Sequence, residues 1–281
     1  MNSKFAVLIL SHGRADRIYT IETLRKGGYT GKIYIVVDDE DEQSGDYIRL
    51  YGDSVVTFSK KDMEGTFDKG DNLKDRRVIV YARNKCHDIA RNLGLDYFLE
   101  LEDDYTSFEF RVPKNGKLLV TKCKQLDRLF ADMVEFLEGS GALTVALAQG
   151  GDFIGGYNGS FAYKGLARKA MNSFFCKTDR PFKFYGRINE DVNTYAVLNQ
   201  RGKKIFTFTG ASIVQKQTQS NAGGMTGIYQ DMGTYYKSFF SVMYAPSCVK
   251  ISVMGSFHKR IHHNISWRNC SPKIINERWK K

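Results

Sequence analysis

Three carboxylates in a row, Glu102-Asp103-Asp104, close the apolar run DYFLEL. Adjacent carboxylates repel one another unless a cation lies among them, and hard oxygen donors suit Mg2+ or Mn2+. A divalent ion held there could bridge two phosphates and stabilise a diphosphate as a leaving group. A solvated acidic turn has the same composition, but the position at the end of a buried strand favours a metal.

Four further sites hold groups that fit such a cleft. Ser11-His12-Gly13-Arg14 follows the apolar run of residues 4–10, and Asp38-Asp39 follows the run of residues 32–37. Arg14 could meet a phosphate, and the two acids could accept hydrogen bonds from a ribose or a base; turn chemistry is the plain alternative. Arg83, in YARNKCHDIA, either reaches a diphosphate or is a helix-surface charge. Glu190-Asp191 heads the helical string INEDVNTYAVLNQRG. A carboxylate there could take a proton from an acceptor hydroxyl, although helix N-termini attract acids for structural reasons too.

The elements needed to gather these groups can be read from hydrophobic spacing. Short continuous apolar runs at 4–10, 32–38, 54–58 and 96–101 read as strands buried on both faces. Helical stripes at 15–26 and 78–93, with a short helix at 47–51, separate them. This alternation implies a parallel sheet with right-handed crossovers, and in such sheets ligands sit beyond the carboxyl ends of the strands. FEFRVPKNGKLLV, with Asn115-Gly116 at its centre, reads as a hairpin. A helix at 123–137, a strand at 143–147, a helix at 186–200 and a strand at 204–209 follow. The polar stretches 60–75 and 215–233 read as a mobile loop and a flexible lid.

Composition narrows the class. The 281 residues carry a net charge of +11, and residues 250–281 hold eight Lys/Arg against the single acid Glu277. Six acids crowd between Asp38 and Asp46. A basic face beside an acidic cleft suits a polyanionic partner, such as nucleic acid. In SFHKRIHHNISWRN (256–269), Lys259, Arg260, Trp267 and Arg268 could follow a nucleic-acid backbone and stack on a base. His258 and His262 would share one face of a helix, where His262 could complete a metal shell. Five cysteines without a CxxC pair point to reduced thiols and an intracellular, cytoplasmic setting. No apolar run approaches the roughly 20 residues of a membrane span. We expect one domain over 1–245, with a basic extension at 246–281 packed on it and a monomer favoured.

The succession VLILSHGR, IYIVVDDED, YARNKCHDIA, LELEDDY and INEDVNTYAVLNQRG resembles, in order, the motifs of the GT-A glycosyltransferases over roughly residues 5–210. The resemblance implies an α/β, Rossmann-like fold with a mostly parallel sheet, a UDP-sugar donor and Mn2+ or Mg2+. It also implies metal contacts at Asp104 and Glu102, although glutamate stands where the family has aspartate. Donor contacts are implied at Arg14, Asp38, Asp39 and Arg83, with Ser11 and Asp103 expected beside them, and Asp191, next to Glu190, matches the general base of inverting members. SHGR, EDDY and the basic tail resemble more narrowly the phage glycosyltransferases associated with TET/JBP-type hydroxylases. Those enzymes glycosylate 5-hydroxymethylpyrimidines, such as 5-hydroxymethylcytosine, in DNA. Two alternatives stand beside this reading: the same fold acting on a polysaccharide, lipid-linked or protein acceptor, and a non-catalytic nucleic-acid-binding protein.

Overall fold

The computed structural model describes residues 4–159, 165–216, 236–255 and 259–272. Strands β1 (Phe5–Leu10), β2 (Lys32–Asp38), β3 (Val55–Phe58) and β4 (Tyr97–Glu102) lie parallel, in the order β3-β2-β1-β4. Helices α1 (Tyr19–Lys26), α2 (Ser44–Tyr51) and α3 (Val80–Asn92) occur between them, the alternation read from hydrophobic spacing. All six residues of β1 are buried because the strand divides two cores. Ala6, Leu8 and Leu10 join one, and Phe5, Val7 and Ile9 join the other.

Beyond β4 the sheet is mixed. Strands β5 (Tyr105–Lys114) and β6 (Lys117–Lys122) form the expected hairpin, with Asn115 and Gly116 at φ 50 and 74, the left-handed pair that a two-residue turn requires. Helix α4 (Leu126–Ser140) buries Leu126, Leu129, Phe130, Met133 and Leu137, one apolar stripe. Strand β7 (Thr144–Gln149) and the two-residue β8 (Leu166–Ala167) follow. Strand β9 (Phe174–Lys177) has no counterpart in the hydrophobic pattern; it runs antiparallel between β4 and β7. Four residues that follow a glycine-rich stretch carry too little periodicity to announce it. Helix α5 (Glu190–Gln200) is buried at all but its last residue. Strand β10 (Ile205–Gln215) pairs parallel with β7 and antiparallel with β5, which leaves β6 at the sheet edge.

Two expectations change, and a third is not tested. Residues 260–265 are a strand, not a helix: β11 (Val249–Met254) and β12 (Arg260–Ile265) form a separate antiparallel pair. The i,i+4 argument for His258 and His262 therefore fails, since successive strand residues alternate faces, and His258 itself is outside the described residues. The segment from Lys60 is not a loose loop at its start, because Lys60 and Met63 are buried. The proposed lid at 215–233 lies, beyond residue 216, outside the described residues. Cys248, Val249 and Cys270 enter the same core as Val192, Tyr195 and Ala196 of α5. All five cysteines are buried free thiols. Among the described residues no helix is long and apolar enough to cross a membrane.

Candidate active site

The carboxyl ends of β1, β2, β4 and β7 open into a cleft of about 1350 Å3. Ser11, His12, Arg14, Asp38, Lys60, Asp103 and Asp104 line one side. Glu190, Asp191, Lys237, His262 and Trp267 line it from α5 and the C-terminal region. The acidic triplet and the Glu190-Asp191 pair, far apart in the sequence, thus share one cavity.

Within the triplet each carboxylate has a different neighbourhood. Asp103 is turned back into the fold and accepts hydrogen bonds from Ser11 Oγ at 2.6 Å and from Arg14 Nη1 at 2.7 Å. Ser11, Arg14 and Asp103 therefore brace one another at the cleft wall. Asp104 behaves otherwise: its Oδ1 is buried and has no hydrogen-bond partner. Burial, and then the nearby Asp103 charge, push its pKa up to about 6. A buried carboxylate oxygen without a partner, on a residue that lines the cleft, fits a hard cation. Among the described residues no three His, Cys, Asp or Glu side chains form a metal cage by themselves.

Glu102 is anchored from below. Arg83 is 1% exposed and donates Nη2 to Glu102 at 2.6 Å, Nη1 to Glu100 at 2.6 Å and Nε to Glu190 at 3.0 Å. Its guanidinium also lies 4.9 Å over the Phe174 ring. The expectation that Arg83 meets a nucleotide is thereby corrected: each of its three nitrogens already faces a carboxylate beneath the cleft. Burial, only partly offset by Arg83, drives the pKa of Glu100 up to about 7 and that of Glu102 up to about 8. Glu100 has no signal in the sequence because it sits inside an apolar strand with no motif around it.

The acids after β2 are divided in role. Asp38 is buried, and both its oxygens are engaged. Oδ2 accepts His12 Nδ1 at 2.7 Å, and Oδ1 accepts Lys60 Nζ at 2.9 Å and the Glu40 backbone N–H at 3.1 Å. Burial raises its pKa, but the contacts with His12 and Lys60 outweigh that and hold it below the ordinary carboxylate value. The same hydrogen bond to Asp38 raises the pKa of His12 despite burial. Asp38 thus lines the cleft together with His12, read from the sequence only as part of the Ser11–Arg14 turn, and Lys60, which no motif singles out. Asp39 is exposed and accepts the Lys60 backbone N–H at 3.0 Å, outside the lining of the cleft.

Glu190 and Asp191 begin α5 after Asn189, whose left-handed φ of 53 sets the turn. Asn189 Nδ2 is pinned to the Lys237 carbonyl at 2.8 Å and to Ser241 Oγ at 3.2 Å. Asp191 Oδ1 accepts the Val192 N–H at 2.7 Å. Burial, then the Glu190 charge, push its pKa up to about 6.

In the tail, His262 lines the cleft and stacks on His263 with ring centroids 4.3 Å apart. Trp267 stacks on Tyr195 of α5 at 5.7 Å, with Arg168 over its ring at 5.9 Å. Lys259 and Arg268 are exposed and outside the cleft lining. Arg260 stands in β12.

The large sheet flanked by helices, with its cleft beyond the strand ends, is the fold class expected of a GT-A glycosyltransferase. The family model described as TET-Associated Glycosyltransferase matches residues 5–224, and the chain belongs to that family. No curated protein matches it by sequence. Among solved structures it is similar to a mycobacterial protein at 8% identity, covering 94% of this chain and 85% of that one with a TM-score of 0.50. It is also similar to a mannosyltransferase from Pyrobaculum calidifontis in complex with GDP-Man and Mn2+ (14% identity, 78% of this chain, 58% of that one, TM-score 0.48). A third is glucosyl-3-phosphoglycerate synthase from Mycobacterium tuberculosis with Mg2+ and UDP (8%, 93% and 87%, TM-score 0.47).

Proposed function

We propose that this glycosyltransferase moves a sugar from a UDP-sugar to the hydroxyl of a hydroxymethylated pyrimidine in DNA. The observation that carries the reading is the sharing of one cleft by Asp104, with its unpartnered buried oxygen, and Asp191 at the head of α5. The TET association of the family and the +11 charge support DNA as acceptor.

Asp104 would hold a Mn2+ or Mg2+ ion, with Glu102 and His262 of the same cleft as its further candidate ligands, and the ion would supply charge neutralisation for a diphosphate leaving group. Arg14, fixed by Asp103, adds a cation on the donor side of the cleft. His12 and Lys60, oriented by Asp38, are the donor-side groups that meet the nucleoside. Asp191 takes the proton of the acceptor hydroxyl while that oxygen bonds to the anomeric carbon and the bond to the diphosphate breaks. Its raised pKa makes it a stronger base than an exposed aspartate. Glu190, held by Arg83, fixes the start of the helix that carries it. A target base inside a duplex must leave the stack or present its hydroxymethyl group in the groove.

The test pairs binding with turnover. UDP should raise the melting temperature only when Mn2+ is present, because a ligand of the folded state stabilises it. Asp191→Asn should keep that shift and lose transfer to hydroxymethylated DNA; normal turnover by the variant would remove the base assignment.

A further inference from the structure

The β5–β6 hairpin leaves the cleft wall as a basic arm. Arg111, near its base, lines the cleft and donates Nε to Ser212 Oγ at 2.8 Å and Nη2 to Glu109 at 2.9 Å. Three residues further on, or about 10 Å along an extended strand, come Lys114 and, across the Asn115-Gly116 turn, Lys117. The register sets Lys114 directly opposite Lys117, with Val112 opposite Leu119 behind them on the same face. Like charges facing each other across a ladder destabilise it, so nothing in the folding of this hairpin favours the pair. Between residues 109 and 124 stand five Lys/Arg and one acid, Glu109, which Arg111 already engages; Lys122 stands opposite Glu109 on the other face from Lys114 and Lys117, so the arm carries cations on both faces. Lys114, Lys117, Lys122 and Lys124 are all exposed. Strand β6 is the sheet edge and touches the short turn Gly156–Asn158, which follows the cleft-lining stretch Gly150 to Ile154. The arm thus stands beside the cleft, with its cations pointing to solvent.

We propose that this hairpin docks the acceptor by clamping the phosphate backbone of duplex DNA, through Lys114, Lys117 and Lys122, beside the transfer site. The inference rests on the DNA-acceptor reading above and adds an element outside the C-terminal tail. A two-stranded ribbon is narrow enough for the major groove, and a pair of facing lysines gains most where phosphates lie on either side. The arm positions DNA through its backbone and reads no sequence.

The experiment is binding of a fluorescent duplex containing 5-hydroxymethylcytosine, followed by anisotropy between 50 and 200 mM KCl. The wild-type chain is compared with Lys114→Gln/Lys117→Gln/Lys122→Gln. Each lysine that no longer neutralises a phosphate should lower the slope of log affinity against log salt by about 0.9, so three remove roughly 2.7. Across that salt range the wild type should therefore lose roughly 40-fold more affinity than the triple variant. Hydrolysis of UDP-sugar by the variant should equal that of the wild type, which shows that the cleft is intact. If the wild type binds DNA and the triple variant has the same slope, the hairpin assignment is overturned while the DNA reading stands. If the wild type shows no salt-dependent DNA binding, the acceptor reading itself falls. Unchanged DNA binding with abolished binding to heparin would assign the arm to a polyanionic glycan and overturn the proposal.

Discussion

Replacing Arg83 by methionine tests how the two acidic motifs are held together. Among the described residues Arg83 is the cation that touches Glu100, Glu102 and Glu190, at 2.6, 2.6 and 3.0 Å. Glu100 and Glu190 have side chains 1% and 8% exposed, so they cannot turn to water when the guanidinium is gone. Removing one partner of a buried ion pair costs about 3–5 kcal/mol, because the other charge is left uncompensated. The loss is capped near that range since a stranded carboxylate can take up a proton instead of staying charged. We expect about 4 kcal/mol, and a melting temperature lower by roughly 8–16 °C at about 2–4 °C per kcal/mol. Urea denaturation followed by circular dichroism reads the loss, with the dependence on urea unchanged. Adding Glu100→Gln to the variant removes one stranded charge and should restore about 0.5–3 kcal/mol, a coupling that independent sites would not show. Arg83→Lys should recover only part, since one ammonium cannot serve three carboxylates at once. A loss under about 1 kcal/mol, or no recovery on adding Glu100→Gln, would refute the account of Arg83 as the shared anchor.

Other perturbations follow from the same contacts. Asp104→Asn should abolish the Mn2+-dependent thermal shift with UDP while leaving the metal-free protein at least as stable at pH 8, because its buried carboxylate is charged at a cost; a retained shift would move the metal elsewhere. His87 sits edge-on to Phe98 and Phe182 at 5.0 and 5.5 Å, and burial pushes its pKa down to about 4. The unfolded chain then binds a proton between about pH 6.5 and 4 that the native state refuses, so stability falls as pH drops through that window, by up to about 3 kcal/mol. His87→Phe should flatten this acid limb in denaturant melts at about pH 7 and 4.5. Gly28 has φ +84, and a Cβ there would lie 2.6 Å from the Lys124 carbonyl oxygen, so Gly28→Ala should cost about 1–3 kcal/mol or more by the same melts.

The parallel half of the sheet was legible because β1, β2 and β4 are short apolar runs closed by polar clusters, and because a parallel sheet places those clusters at one end. The Asn115-Gly116 hairpin was equally plain, since a turn with two left-handed residues is written in two letters. Helix α5 was placed correctly, although its burial on nearly every side is invisible to periodicity. The tail misled, because histidines four apart say nothing about helix or strand without an apolar period to decide.

Residue types and their order along the chain therefore determined the strand ends, the acids gathered there and the family to which they belong. Tertiary structure alone decided what each acid does. Asp103 and Asp38 are saturated by partners brought from other strands and loops, Glu102 is tied to Arg83, and Asp104 keeps a buried oxygen without a partner. The physical reason is that a carboxylate's role follows from burial and from which donors reach its oxygens, and those donors stand up to 107 positions away in the sequence.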